Sequence, residues 1–339
     1  MKKNHFSGKK VLVTGGTGSW GHELVRQLLT KHPDIKEVRI YSRGEHKQVQ
    51  MKQEFNGDRR LKFIIGDVRD RDILGYAMSD IHTVFHLAAL KHVPVCEENP
   101  WEAVLTNVYG TQNVIESAVN NKVHTVVDVS TDKAVEPFNH YGVTKACGEK
   151  LMINANAYYG GQTKFICIRG GNVIGTNGSV IPLFKKQILE KNTITVTDGL
   201  MTRFLMTTRE AIGLIFTAVE GSVGGELFVM RMPGATLTTI VRIMITLFGN
   251  SKTKITTIGL RPGEKRHEVL VSKNEAPFTR IFSREYYVIL PQLQNRSAYK
   301  KYKKYRAFAD TEFSSATTRM FDEKGLEKVL RGEKWLWNS

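Results

Sequence analysis

Cysteine is scarce in this sequence: Cys96, Cys147 and Cys167 are the only three among 339 residues. They are too few and too widely spaced for a disulfide framework or a cysteine-ligated metal site, which points to a reducing compartment. The opening, Met-Lys-Lys-Asn-His-Phe-Ser-Gly-Lys-Lys, lacks the apolar core of a secretory signal. Long apolar runs are missing too; the best candidate, 239–248, is broken by Arg242 and is far too short to span a bilayer. These absences predict a cytoplasmic protein with no membrane partner. No internal repeat or low-complexity linker is evident, so one large unit or two closely packed ones are expected.

Acidic residues are the other shortage, 33 against 49 Lys and Arg, for a formal charge of +16. Such an excess suits nucleic acid, a membrane surface or an enzyme for polyanionic small molecules. The charge is spread along the chain except in RSAYKKYKKYR (296–306), where Tyr299, Tyr302 and Tyr305 alternate with Lys and Arg. Aromatic and basic residues interleaved in this way can stack single strands. A solvated segment or a contact between copies is the preferred interpretation, and no nucleic-acid partner is expected.

What the chain does contain is an orderly alternation. Lys10–Thr14 reads as a strand, followed by Gly15-Gly16-Thr17-Gly18-Ser19-Trp20-Gly21 and a helical pattern over 22–29. Strand, glycine turn and helix in that order form a pyrophosphate cradle, with the helix amino end facing the charge. Further strands are expected at 38–41, 61–65, 81–89, 125–129 and 164–169, with helices over 101–119 and 142–157. The fold class is therefore α/β, a doubly wound parallel (Rossmann) sheet over residues 1–170. Residues 171–339 are expected to form a smaller, mainly substrate-binding region, some of whose segments return to the main sheet.

The second strand ends in Ser42-Arg43, with Lys47 a turn later, where an NAD-selective enzyme usually places a carboxylate. A guanidinium there can pair with a 2′-phosphate, so the expected cofactor is NADP. Asp67, after the third strand, could accept from the adenine amino group or cap the following helix. Ala88 and Ala89 allow close approach of a cofactor. His82 and His86 share a strand face but lack a third ligand, so no metal site is expected. Thr106-Asn107 could hydrogen-bond the active-site backbone.

Chemistry concentrates at Ser130-Thr131-Asp132-Lys133, directly after an apolar strand, and at Tyr141-Gly-Val-Thr-Lys145. Tyr141 and Lys145 lie four apart, on one helical face. The runs TGGTGSWG (14–21), GDVRD (66–70), ALKHVP (89–94), STDKA (130–134), YGVTK (141–145), GSVIPLFKK (178–186) and IGLRPGEK (258–265) closely resemble the soluble nucleotide-sugar 4,6-dehydratases of the extended short-chain dehydrogenase/reductase superfamily. Within it, the resemblance is to those acting on UDP-N-acetylglucosamine with inversion at C5, which open pseudaminic acid synthesis. It covers about residues 8 to 275.

The resemblance implies that the glycine motif, Ser42, Arg43, Lys47, Asp67, Val68, Ala88, Ala89, Lys91, Tyr141 and Lys145 hold the cofactor. It also implies that Lys91, Asn172, Val180, Arg203, Arg261 and Glu264 surround the UDP-sugar. The catalytic set would be Thr131, Asp132, Lys133, Tyr141 and Lys145. Tyr141, with its pKa lowered by Lys145, would take the C4 hydroxyl proton, Lys133 the C5 proton, and Asp132 would protonate the leaving C6 hydroxyl. Gly170 departs from the family, whose members often carry Tyr there. A homo-oligomer is expected by the same resemblance. The alternatives are a C5-retaining dehydratase, a UDP-sugar 4-epimerase, and a non-catalytic dinucleotide module that binds nucleic acid.

Overall fold

The computed structural model describes residues 5–159, 161–175, 179–261, 263–292 and 295–337; Gly178 and Pro262 of the runs quoted above lie outside them. Six apolar segments form parallel strands: β1 (Lys10–Thr14), β2 (Glu37–Ser42), β3 (Leu61–Ile65), β4 (Thr83–His86), β5 (Thr125–Thr131) and β6 (Lys164–Gly170). Their spatial order, β3-β2-β1-β4-β5-β6, reverses direction between β1 and β4. At such a reversal the loops splay apart at the strands' carboxyl ends and leave a crevice for a ligand.

The remaining strands are β7 (Asn172–Val173), β8 (Thr193–Val196), β9 (Thr202–Met206), β10 (Leu227–Met230), β11 (Gly234–Thr236), β12 (Lys254–Thr257), β13 (Val269–Val271), β14 (Thr279–Ile281), β15 (Tyr286–Ile289) and β16 (Phe313–Ser314). Strands β10, β15 and β14 extend the main sheet beyond β6 to nine strands. The pairings of β15 with β10 and with β14 are antiparallel. The other strands form three small sheets, β11-β9-β7, β12-β8 and β13-β16.

Helices cover the main sheet because its strands are apolar on both faces. Ser19–Lys31 packs with Thr208–Gly221, while Gly110–Asn120 packs with Arg71–Ala77 and His140–Tyr158. A second core gathers Ile181, Phe184, Ile194, Val196, Ile240 and Leu326 beneath the helices Val180–Lys191, Leu237–Phe248 and Glu323–Gly332. Two α/β bodies result, as the alternation predicts.

Two elements differ from expectation. The helix expected over 101–119 is divided into Pro100–Val104, a π turn at Leu105–Tyr109, and Gly110–Asn120. The wider turn carries Asn107, which clasps both backbone groups of Leu90. Two of the three tyrosines of the basic segment face the fold, while Tyr299 is exposed. Tyr302 is fully buried and donates to the Gly221 carbonyl and to Glu226. Tyr305 stacks on Phe282 at 5.6 Å, so these rings are engaged in packing. Among the described residues, no helix is long and apolar enough to cross a membrane.

Candidate active site

The glycine turn is built tightly. Gly15 has φ +65°, and a Cβ there would lie 2.8 Å from the Ala88 amide nitrogen. A Cβ on Gly21 would lie 2.1 Å from the Gly16 carbonyl oxygen, so the helix can start against the turn only with glycine there. Gly18 caps Ser19–Lys31 without a side-chain acceptor, which leaves the helix amino end facing the crevice. These features suit a dinucleotide pyrophosphate. Thr17, Ser19 and Trp20 line the same turn, Thr17 partly exposed and Trp20 packed onto the main core. Gly170 meets Trp20: a Cβ at Gly170 would lie 3.1 Å from the indole. The glycine that departs from the resembled family thus leaves room for the tryptophan ring.

At the tip of β2, Gln48 donates to the Ser42 hydroxyl, and Arg43 and Lys47 are exposed. Asp67 is not the expected helix cap; Asp70 accepts from the amides of Asp72 and Ile73. Asp67 is instead clasped by Arg69. Burial works against the Asp67 charge, but those hydrogen bonds hold its carboxyl below the ordinary value. Arg43 Nη1 stands 4.0 Å from Asp67 Oδ2. A guanidinium that already faces a carboxylate is a poor selector for a 2′-phosphate. Val68 is buried behind Asp67, and Ala88 and Ala89 are partly exposed at the end of β4.

The catalytic candidates converge at the carboxyl end of β5. Thr131 donates to Asp132 Oδ1 at 2.9 Å, and Lys133 Nζ donates to the same oxygen at 3.0 Å. Asp132 is fully buried and its second oxygen has no hydrogen-bond partner. Tyr141 and Lys145, on the helix His140–Tyr158, are buried beside them. Asn139 sets that helix, capping the Gly142 amide and donating to the Gly263 carbonyl.

Burial pushes the Tyr141 phenol above its ordinary value. Lys145, Lys133 and a hydrogen bond with Thr131 work the other way without prevailing. Asp132 adds to the rise, and Lys145 itself faces Asp128, a residue the sequence reading passed over. It is buried on β5 with Lys145 Nζ 3.3 Å from its carboxylate, and so offsets the charge meant for the phenol. Burial disfavours the ammonium, but Asp128 raises the Lys145 pKa overall. An aspartate inside the apolar strand TVVDV was the signal, because a buried charge requires a partner.

Among the residues expected around a sugar, Arg203 on β9 comes nearest this cluster. Its Nη1 donates to the carbonyls of Thr202 and Arg266, and its Nε lies 3.9 Å from Glu268. Glu264 accepts from the Arg261 amide on a loop that Lys265 ties to the Val135 carbonyl. Asn172 presents a buried carbonyl oxygen without a partner, Val180 begins its helix and Lys91 is exposed. Glu268, also passed over, lies 3.5 Å from Lys133. His86, buried between the Thr14 and Thr111 hydroxyls, and His82, just before β4, do not converge. Among the described residues, no group of side chains could hold a metal.

The chain is similar in sequence and fold to known proteins. Residues 11–290 match the family described as "Polysaccharide biosynthesis protein". The UDP-N-acetylglucosamine 4,6-dehydratase (inverting) of Campylobacter jejuni is 41% identical, over 85% of this chain and 85% of that protein. The UDP-glucose 4-epimerase of Rickettsia rickettsii is 45% identical, over 80% of each. The solved structure of Pen from Bacillus thuringiensis superposes with a TM-score of 0.89 at 38% identity, covering 97% of this chain and 99% of that one.

Solved structures of the same fold correct the cofactor expectation. Three of them hold NAD: a dTDP-glucose 4,6-dehydratase of Streptomyces venezuelae, a UDP-glucose 4-epimerase of Thermus thermophilus and a UDP-glucuronic acid 4-epimerase of Bacillus cereus. The expectation of NADP rested on Ser42, Arg43 and Lys47 in place of a carboxylate, and the structure sets Arg43 4.0 Å from the Asp67 carboxylate. The chain belongs to the polysaccharide biosynthesis protein family, and with it to the extended short-chain dehydrogenase/reductases that act on nucleotide sugars.

Proposed function

We propose that the chain dehydrates UDP-N-acetylglucosamine to a UDP-4-keto-6-deoxy sugar with inversion at C5, using NAD. The observation that carries this assignment is the pairing of buried Asp132 with partly exposed Lys133, 3.0 Å apart beside Tyr141. Interconverting C4 epimers requires a base for the C4 hydroxyl and nothing at C5 or C6. Removing water requires a base at C5 and an acid at C6.

NAD, held by the glycine turn and the tips of β2 and β3, supplies the oxidant at C4 and the electrons returned to C6. Tyr141, ionised to the phenolate where the positive charge of bound NAD adds to those of Lys145 and Lys133, accepts the C4 hydroxyl proton. The ketone then acidifies C5–H, because the carbanion is an enolate. In the resting pair, one proton passing from Lys133 to Asp132 gives an amine and a carboxylic acid. Lys133 takes the C5 proton, Asp132 protonates the departing C6 hydroxyl, and the pair ends with its original charges. A solvent proton delivered to C5 from the opposite face inverts that centre, and Tyr141 releases its proton to solvent. Asn172, Val180, Arg203, Arg261, Glu264 and Lys91 bind the UDP-sugar, the arginines as forked donors to the diphosphate. Residues 1–170 serve the dinucleotide and residues 171–339 mainly the sugar, in an assembly of identical copies.

The test is NMR of UDP-N-acetylglucosamine with the enzyme and NAD in deuterated water. A 4-keto-6-deoxy product of L-arabino configuration, labelled at C5, is expected without added reductant. A C4 epimer would transfer the assignment to the 4-epimerases, among which relatives also lie; unchanged substrate would refute both.

A further inference from the structure

Lys133 has two carboxylate neighbours. Besides Asp132, Glu268 Oε1 lies 3.5 Å from its ammonium, just ahead of β13. Glu268 is 2% exposed, and its second oxygen is buried without a hydrogen-bond partner. A buried carboxylate is costly unless a cation compensates it. Arg203 is only a partial one, since its Nη1 is occupied by backbone carbonyls and its Nε stands 3.9 Å away. The site nevertheless fixes the backbone of Glu268 firmly. Its amide donates to the Ser315 hydroxyl, its carbonyl accepts from the Ser315 amide, and that hydroxyl also meets Thr202 at 2.7 Å.

We propose that Glu268 is a positioning residue for the lysine base: its carboxylate anchors the Lys133 ammonium beside Asp132 and opposes release of its proton. The role as base rests on the dehydratase assignment; the hold on Lys133 does not. Burial alone would disfavour the ammonium, but Asp132 and Glu268 together keep the Lys133 pKa raised. Removing one of two carboxylates therefore makes the free amine accessible at lower pH.

The test compares the full-length protein with Glu268→Gln, which keeps the shape, and Glu268→Asp, which keeps the charge while opening more room. Acylation of Lys133 at pH 9, read by mass spectrometry against the exposed Lys303, reports the free amine without substrate. Glu268→Gln should label about tenfold faster than wild type, the equivalent of one pKa unit, and Glu268→Asp should return towards the wild-type rate. An unchanged rate in Glu268→Gln overturns the inference. So does equal labelling of the two variants, which would mean access rather than charge. A wild type that makes no 4-keto-6-deoxy product but shows the labelling shift refutes the dehydratase and leaves Glu268's hold on Lys133 standing. Product formation without the shift refutes Glu268 alone.

Discussion

Single side chains carry the chemistry, and two carboxylate-paired lysines illustrate opposite uses of one residue type. Lys145 is enclosed with Asp128, and Lys133 is partly open between Asp132 and Glu268. Asp128→Asn strands the Lys145 ammonium in the interior and should cost about 3 kcal/mol, the usual penalty for removing one member of a buried pair. The midpoint of urea unfolding measures it. Lys133→Ala should abolish deuterium exchange at C5 while leaving NADH affinity, followed by fluorescence, within about twofold, because the glycine turn is remote in sequence and intact. Exchange that persists would remove Lys133 from the base role. Asp132, Lys133, Tyr141 and Lys145 were legible because hydroxyl, carboxyl and amine groups cluster after one strand. Glu268 was not, since nothing local in HEVL says that the chain will return it to the end of β5.

Among the elements, the turns decide function more than the strands. Gly21→Ala forces a Cβ into the Gly16 carbonyl, so the helix Ser19–Lys31 must shift and NAD affinity should fall by at least about tenfold by calorimetry. Asn139 joins the start of the catalytic helix to the loop at Gly263 through both atoms of its amide. Asn139→Ala should lower stability by about 1 kcal/mol as a lost cap and raise KM for the nucleotide sugar more than it lowers kcat. The parallel strands were readable as apolar runs bounded by glycine and polar turns. Strands β14 and β15 were not, because short segments such as Thr279–Ile281 become strands only by pairing at long range. The π turn escaped as well: LTNVY has ordinary helical composition, and its widening is visible only in where Asn107 reaches.

The whole molecule carries its charge unevenly, and pH exposes this. His5, His82 and His124 gather at the amino end of the main sheet, with Lys9 and Lys164 as their charged neighbours. Burial holds His82 down at about 4, and it does the same to His86 in the interior. Groups depressed on folding favour the native state fully above the unfolded value near 6.5. The unfolded chain binds more protons below that point, so this contribution is lost as pH falls from about 6.5 towards 4. Urea midpoints measured across that window should drop, and His82→Gln should flatten the drop. A midpoint that rises on acidification would contradict the direction.

The seating of Glu268 on Ser315 also bears on how the enzyme is made. The strands that form the dinucleotide crevice are complete by Gly170, whereas the partner that fixes Glu268 emerges from the ribosome 145 residues later. A nascent chain, folding from its amino end, can acquire a nucleotide-binding half while Lys133 still faces Asp132 alone. On the proposed assignment, the growing polypeptide stays without its full proton-transfer machinery until Ser315 has been added.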